Sequence, residues 1–258
     1  MRKFTLLFFF FVSFLFLSCA GQSIKFPLNE KLNLTGDLSK PEGNGPFPAV
    51  IILHGCAGIG SNLGYWEYIL VKEGYAVFTV DSLGPRGVGN ICFSPLKVSP
   101  LDRAHDAFAA KRHLQTLPFI DKERIAVMGF SHGGWTALYT TLYPYLFEKE
   151  QPFKAVITFY PYCENIYPEP KALFSPLMIL IGGSDDWTPA KACEAYPKIL
   201  KGLNHEFVLK VYPGAYHHYD SLEERRVSAY GHTIERNESA VTNSTVMVKN
   251  FLKKHFER

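Results

Sequence analysis

The sequence predicts an α/β fold with a doubly wound, mostly parallel sheet that has helices on both faces. Short runs that are apolar throughout, such as residues 49–53 and 177–181, are typical of parallel strands buried on both sides. These runs alternate with stretches, such as residues 101–117, in which apolar residues recur at helical spacing. The chain has 258 residues, 47% of them hydrophobic, and is long enough to bury the core of such a sheet.

The predicted elements follow one another in regular order after an irregular or short-stranded lead-in at residues 20–46. The predicted strands are residues 49–53, 75–80, 124–128, 155–159, 177–181 and 206–211. The predicted helices are residues 63–73, 101–117, 133–143 and 240–256. Because no internal repeat or strong linker interrupts this pattern, we expect a single domain over residues 19–258.

The first residues are typical of a targeting segment. Arg2 and Lys3 precede an uncharged, Phe-rich stretch at 5–17, so residues 1–18 are predicted to be a signal peptide. A small residue directly before Cys19, at the end of the apolar run, resembles a bacterial lipoprotein cleavage site with Cys19 lipidated; cleavage after Ala20 or nearby is the alternative. We therefore expect an exported protein that is periplasmic or a membrane-anchored lipoprotein.

The charge pattern limits the partners. The formal net charge is +3, and no basic run is longer than two residues, so the sequence carries no nucleic-acid footprint. We expect no nucleic-acid partner and no membrane contact other than the lipid anchor.

A glycine-flanked serine follows the predicted strand at 124–128. Residues 129–133 read Gly-Phe-Ser-His-Gly and precede a predicted helix. A nucleophile on a sharp strand-to-helix turn needs neighbours without side chains, which the glycines provide. We predict that Ser131 is a nucleophile; a helix N-cap serine is the alternative.

An acidic pair and a histidine pair follow two later predicted strands. Asp185 and Asp186 come after residues 177–181, and His217 and His218 come after residues 206–211. A nucleophilic serine needs a base and an acid that orients the base. Both pairs lie downstream of the serine, in the order nucleophile, acid, base that one class of hydrolases uses.

A third loop predicts an oxyanion hole. Residues 54–58 read His-Gly-Cys-Ala-Gly and follow the predicted strand at 49–53. We expect the backbone N–H groups of Cys56 and His132 to stabilise an oxyanion together. The side chain of His54 is expected to be structural, and that of His132 to line the mouth of the site.

Taken together, these segments resemble the dienelactone hydrolase family of α/β-hydrolases. The resemblance runs from about residue 25 to the C-terminus and is carried by residues 54–58, 81–87, 129–134, 183–189 and 212–217. It implies the α/β-hydrolase fold. It also implies that Asp185, four residues before Pro189, is the acid and that His217 is the base.

One position departs from the family pattern. The enzyme that gives the family its name has a cysteine nucleophile, whereas this chain has Ser131. We therefore expect an exported serine hydrolase that cleaves a small-molecule carboxylic ester or lactone through an acyl-enzyme, without a cofactor. The alternatives are a peptidase or amidase on the same fold, and a lipoprotein that binds without catalysis.

Residues near the predicted site have further candidate roles. Arg86 is expected either to bind a substrate carboxylate or to brace a loop. Trp187, with Tyr160, Tyr162 and Trp135, is a candidate for lining an apolar pocket. No metal site is expected, since neighbouring His217 and His218 side chains diverge in an extended segment and no spaced third ligand is evident.

Four cysteines remain after Cys19. An even number in an exported protein predicts two disulfides, with free buried thiols as the alternative. Three pairings are possible. We predict Cys163–Cys193, which would brace the acid-bearing loop, and with it Cys56–Cys92, which would close across the oxyanion loop.

Overall fold

Eight strands form one sheet, and two more form a small hairpin. The structure, a computed structural model, describes residues 22–164, 172–202 and 204–257; the predicted signal peptide and Cys19 lie outside these residues. The strands of the sheet are β1 (Gln22–Pro27), β2 (Asn33–Ser39), β3 (Phe47–Leu53), β4 (Ala76–Asp81), β5 (Ile120–Phe130), β6 (Val156–Phe159), β7 (Leu177–Gly182) and β8 (Phe207–Tyr212). The hairpin strands are β9 (Arg226–Val227) and β10 (Thr233–Ile234).

The four helices that the sequence predicts are present, together with two four-residue helices between β7 and β8 that it does not predict. They are α1 (Ser61–Lys72), α2 (Pro100–Leu114), α3 (His132–Leu142), α4 (Ala190–Cys193), α5 (Tyr196–Ile199) and α6 (Glu238–Phe256). Two helices begin at residues whose side chains cap them. Ser99 and Asp102 form a capping box at the start of α2, and the side chain of Asn237 caps the start of α6. None of the helices in the described ranges is long and apolar enough to cross a membrane.

The strand order places the site. The order in the sheet is β1-β2-β4-β3-β5-β6-β7-β8. The pairs β1–β2 and β2–β4 are antiparallel, and every other neighbouring pair, from β4–β3 to β7–β8, is parallel. After β3 the chain moves first to β4 on one side and then to β5 on the other. The loops after β3 and β5 therefore diverge at a topological switch point, where ligands bind in sheets of this kind.

The central strands are buried on both faces, which explains their unbroken apolar runs. Every residue from Ala49 to Leu53 in β3 has no exposed surface, and all of β7 is buried. The predicted mostly parallel α/β sheet is therefore confirmed. The lead-in that was expected to be irregular or short-stranded forms the β1–β2 hairpin at the edge of the sheet.

Candidate active site

Ser131 occupies a strained turn between β5 and α3. Its backbone has φ 53° and ψ −116°, outside the regions that residues other than glycine usually adopt. A Cβ on Gly129 would lie 2.0 Å from the carbonyl oxygen of Gly133, and a Cβ on Gly133 would lie 2.1 Å from that of Leu53. Both glycines are therefore required because β3, β5 and α3 approach so closely at this turn.

A chain of hydrogen bonds joins Ser131 to the loops after β8 and β7. The Oγ atom of Ser131 lies 3.0 Å from Nε2 of His217, and Nδ1 of His217 lies 2.8 Å from Oδ2 of Asp185. The side chains of His217 and Asp185 are buried. The structure thus brings together the three residues that the sequence analysis singled out, in an arrangement suited to proton transfer from the serine.

Backbone and side-chain donors fix the carboxylate of Asp185. Its Oδ1 accepts hydrogen bonds from the backbone N–H groups of Trp187 at 2.9 Å and Thr188 at 2.8 Å. The Thr188 hydroxyl lies 3.0 Å from both Oδ2 of Asp185 and Nδ1 of His217. Burial alone would raise the pKa of Asp185, but the charge of His217 and these hydrogen bonds hold the pKa below its usual value. Asp185 is therefore a stable anion beside the imidazole.

The neighbouring acid and histidine point elsewhere. Asp186 accepts a hydrogen bond from the backbone N–H of Thr233 at 3.1 Å and lies 3.7 Å from the imidazole of His232. His218 has a left-handed backbone with φ 57°, and burial lowers its pKa. His217, not His218, makes the hydrogen bond to Ser131, and Asp185, not Asp186, makes the hydrogen bond to His217.

The loop after β3 lies directly against the serine. A Cβ built on Gly55 would lie 3.6 Å from Cβ of Ser131, and Cys56 lines the pocket above it. His132 is the first residue of α3, so its backbone N–H has no acceptor within the helix. The two residues predicted to supply an oxyanion hole therefore lie on segments that adjoin Ser131: the loop after β3 and the first turn of α3.

Arg103 of α2 joins the loop after β3 to the first residue of α3, a role that the sequence did not predict. It is fully buried; Nη1 donates to Nδ1 of His132 at 2.8 Å and Nη2 to the carbonyl oxygen of His54 at 2.7 Å. Burial and the charge of Arg103 lower the pKa of His54 and of His132 to about 3. Both imidazoles are therefore neutral structural groups. His54 has the structural role expected of it. His132 was expected to line the mouth of the site, but its side chain is buried and is not among the residues that line the pocket.

Arg86 does not face the pocket, which corrects its predicted role in substrate binding. Its Nη1 donates to the carbonyl oxygen of Ser82 at 2.7 Å and to Oδ2 of Asp106 at 2.8 Å, and its Nη2 donates to Oδ1 of Asp106 at 2.7 Å. Asp106 is fully buried in α2. Because this carboxylate and carbonyl occupy the guanidinium, Arg86 is the loop-bracing arginine of the alternative interpretation.

A pocket of about 370 Å³ opens above Ser131. Trp187 and Tyr160 form two of its walls, with ring centroids 5.0 and 4.7 Å from that of His217. Tyr162 and Trp135, the other two aromatic candidates, pack edge to face outside this pocket, with ring centroids 4.9 Å apart. The volume suits a small ligand, and the mixture of apolar walls with a few polar groups is typical of ligand sites.

Both predicted disulfides are present in the structure. Cys56 and Cys92 are bonded, as are Cys163 and Cys193. The Cys56–Cys92 bridge lines the pocket, and the backbone N–H of Ile91 also donates to the carbonyl oxygen of Cys56 at 2.9 Å. This bridge therefore fixes the loop beside Ser131. Two disulfides are typical of proteins from oxidising compartments outside the cytosol.

Asp220, which follows the histidine pair two residues later in the sequence, has a structural environment. Its buried carboxylate accepts hydrogen bonds from Trp66 at 2.8 Å, Asn62 at 3.1 Å and Tyr160 at 2.7 Å. Among the residues that the structure describes, no group of three His, Cys, Asp or Glu side chains is placed to hold a metal ion.

The fold and this arrangement define an α/β-hydrolase. The chain belongs to the dienelactone hydrolase family, whose model matches residues 34–256. Two solved structures share the fold over 91% of this chain. One is m3DLH, with a TM-score of 0.74, 21% identity and 98% of that chain covered. The other is Thermogutta terrifontis esterase 2, with a TM-score of 0.68, 19% identity and 94% covered.

The curated relatives include several kinds of hydrolase. A "Putative carboxymethylenebutenolidase" of Synechocystis sp. is 25% identical over 209 residues, which cover 73% of this chain and 82% of the relative. Esterase FrsA of Enterobacter sp. is 30% identical over 47% of this chain, and "Probable dipeptidyl-aminopeptidase B" of Grosmannia clavigera is 37% identical over 31%. The matched regions span only 28% and 8% of those two longer proteins.

Proposed function

We propose that this protein is an exported serine hydrolase that cleaves a small carboxylic ester or lactone through an acyl-enzyme. The observation that carries the proposal is the continuous hydrogen-bond chain from Oγ of Ser131 through His217 to Asp185, with 3.0 and 2.8 Å between the bonded atoms. Family membership and the esterase among the relatives support the same class of reaction.

The mechanism follows from the hydrogen-bond chain. Nε2 of His217 accepts the hydroxyl proton as Oγ of Ser131 attacks the ester carbonyl, and Asp185 stabilises the imidazolium that forms. The backbone N–H groups of Cys56 and His132 donate to the oxyanion, a role in which each such donor typically contributes about 2.7–4 kcal/mol. His217 then protonates the leaving alcohol. A water molecule, deprotonated by the same imidazole, releases the acid and regenerates the serine.

The proposal is tested with Ser131→Ala. We expect kcat/KM for a short-chain aryl ester to fall by a factor of about 10⁴ or more, because the nucleophile is lost. A fluorophosphonate probe should label the wild type and not the variant. Ser23→Ala, at an exposed position of β1, is the matched control. Equal rates for Ser131→Ala and the wild type would overturn the assignment.

A peptidase or amidase is the second candidate, favoured by the local match to a dipeptidyl-aminopeptidase. The same acyl-enzyme chemistry serves both reactions, so the substrate decides between them. Paired esters and amides with the same acyl group separate the two: we expect esters to be turned over faster. A wild type that resists the fluorophosphonate probe would instead indicate a binding lipoprotein.

Export is proposed together with the activity. The predicted signal peptide at residues 1–18 and the two disulfides support an extracytoplasmic location. We propose that Cys19 carries the lipid that anchors the single domain at residues 19–258. Labelling with a radioactive fatty acid should mark the wild type and not Cys19→Ala. Label on the Cys19→Ala protein would contradict this attachment.

A further inference from the structure

Large exposed apolar side chains are concentrated around the entrance of the pocket. Nine large hydrophobic residues in the described ranges are exposed. Five of them belong to the three segments that surround the pocket, and we call these five the apolar rim: Ile59, Phe93, Leu96, Leu222 and Val227. Isolated exposed apolar residues are ordinary, whereas a group around a site entrance marks an interaction surface.

The chain itself shows that the rim lies at the entrance. Four of its members directly adjoin residues that line the pocket; these lining neighbours are Gly58, Cys92, Glu223 and Arg226. Phe93 is the most exposed member, at 80%, and its ring still contacts that of Tyr230, a pocket residue, at 4.8 Å. Ile59, Phe93, Leu222 and Val227 therefore lie beside the pocket that contains Ser131, and Leu96 follows Phe93 on the same segment.

Covalent and polar contacts hold the rim in place. The Cys56–Cys92 disulfide joins the loop that bears Ile59 to the loop that bears Phe93. Nδ2 of Asn90 donates to the hydroxyl of Tyr230 at 2.5 Å, which joins the second loop to the β9–β10 hairpin. These apolar side chains are thus presented to solvent by a cross-linked scaffold.

The position of the rim limits which partners can occupy it without closing the pocket. A protein seated on the rim would close the pocket, whereas an assembly of ester molecules would cover the rim and supply substrate at the same time. Charge does not favour a polyanionic partner, because Arg226 pairs with Glu223 at 2.6 Å and Arg225 pairs with Glu235 at 3.1 Å. We infer that the apolar rim docks on the surface of a water-insoluble ester assembly, such as a lipid droplet, from which the ester enters the pocket. This inference rests on the proposed function.

The test compares one acyl group in two physical states. The rim variant is Leu222→Ser with Val227→Ser, and the substrates are monomeric 4-nitrophenyl butyrate and a tributyrin emulsion. Tyr68→Ser with Val246→Ser is the matched control, since these side chains are 58% and 51% exposed on α1 and α6. Because burying two such side chains favours adsorption, we expect the rim variant to hydrolyse the emulsion about tenfold or more slowly than the wild type does. Its rate on the monomer should fall by less than about twofold. The control should change neither rate.

Binding without turnover separates this inference from the proposed function. Ser131→Ala protein should float with a triolein emulsion in a density gradient, and the same protein with the rim substitutions should not. Flotation that survives the rim substitutions would overturn the inference, as would equal losses on both substrates. A wild-type dimer in light scattering that the rim variant dissociates would also overturn it, because the rim would then be a contact between two copies. Circular dichroism establishes that each variant is folded.

Discussion

Tyr160 connects the buried carboxylate of Asp220 to the imidazole of His217. Its hydroxyl donates to Oδ1 of Asp220 at 2.7 Å, while its ring centroid lies 4.7 Å from that of His217. The backbone of Tyr160 is left-handed, with φ 37°, and its carbonyl oxygen accepts a hydrogen bond from Thr188 at 3.0 Å. Such a conformation persists only where the surroundings fix it, and here Asp220 and Thr188 do so. Asp220 and His217 therefore contact the same side chain, and we expect Asp220 to help position the imidazole through Tyr160.

We predict that Tyr160→Phe lowers kcat several-fold and leaves KM nearly unchanged. The ring still fills its place, but its link to Asp220 is lost, so His217 is held less firmly. Removing a hydrogen bond to a buried charged group should lower the free energy of unfolding by about 1.5–3 kcal/mol. Steady-state kinetics and urea denaturation measure the two effects. Tyr145→Phe, at an exposed hydroxyl-bearing residue, is the control. A Tyr160→Phe enzyme with wild-type kcat would show that the contact does not position His217.

Much of the fold was predictable from sequence because the central strands are buried on both faces. Residues 49–53 and 177–181 are apolar at every position, and the structure places strands over both. The three polar groups that meet at the site were also identifiable, because each follows a strand and parallel strands end at one edge. Ser131 stood out further through its flanking glycines, which the close approach of backbone explains.

The partners of buried charges were not predictable, since they come from distant parts of the chain. Arg86 pairs with Asp106, which lies 20 residues away on α2. In sequence, Arg86 is simply a cation on a loop after a strand, and nothing local distinguishes a loop brace from a substrate ligand. Arg103 was missed for the same reason, because its acceptors are His132 and the carbonyl oxygen of His54. Tertiary packing, which has no local sequence signature, decides both roles.

The two disulfides should differ in their effect on activity. They close loops of similar length, with sequence separations of 36 and 30 residues. Removing either, by Ala at both cysteines, should therefore lower the free energy of unfolding by a similar amount, about 3–4 kcal/mol. Only the Cys56–Cys92 bridge lines the pocket, so its loss should also lower kcat at least tenfold at a temperature where both variants are folded. Equal kcat values for the two variants would contradict a role in holding the oxyanion loop.

The loop-bracing role of Arg86 leads to a separate prediction. Arg86→Met leaves the buried carboxylate of Asp106 without its charged partner, so we expect a loss of about 3–5 kcal/mol in the free energy of unfolding. The ratio of KM values for a carboxylate-bearing ester and its neutral methyl ester should not change. Arg86→Met with Asp106→Leu, which removes both charges, should recover part of the stability. A selective rise in KM for the carboxylate-bearing ester would restore the substrate-binding interpretation.

Asp185 should make stability depend on pH in the acid range. Its pKa in the folded state lies below the usual value of about 3.9, so the folded protein favours the ionised form more than the unfolded chain does. The resulting stabilisation is complete above that usual value and is lost as the pH falls through the folded-state pKa. Asp185→Asn should therefore be less stable than the wild type at neutral pH, and the difference should shrink as the pH drops below about 4. Urea denaturation from pH 7 to pH 3 measures it, with Ser131→Ala as the control that retains the carboxylate. A stability difference that stays constant over this range would show that Asp185 has the same proton affinity in both states.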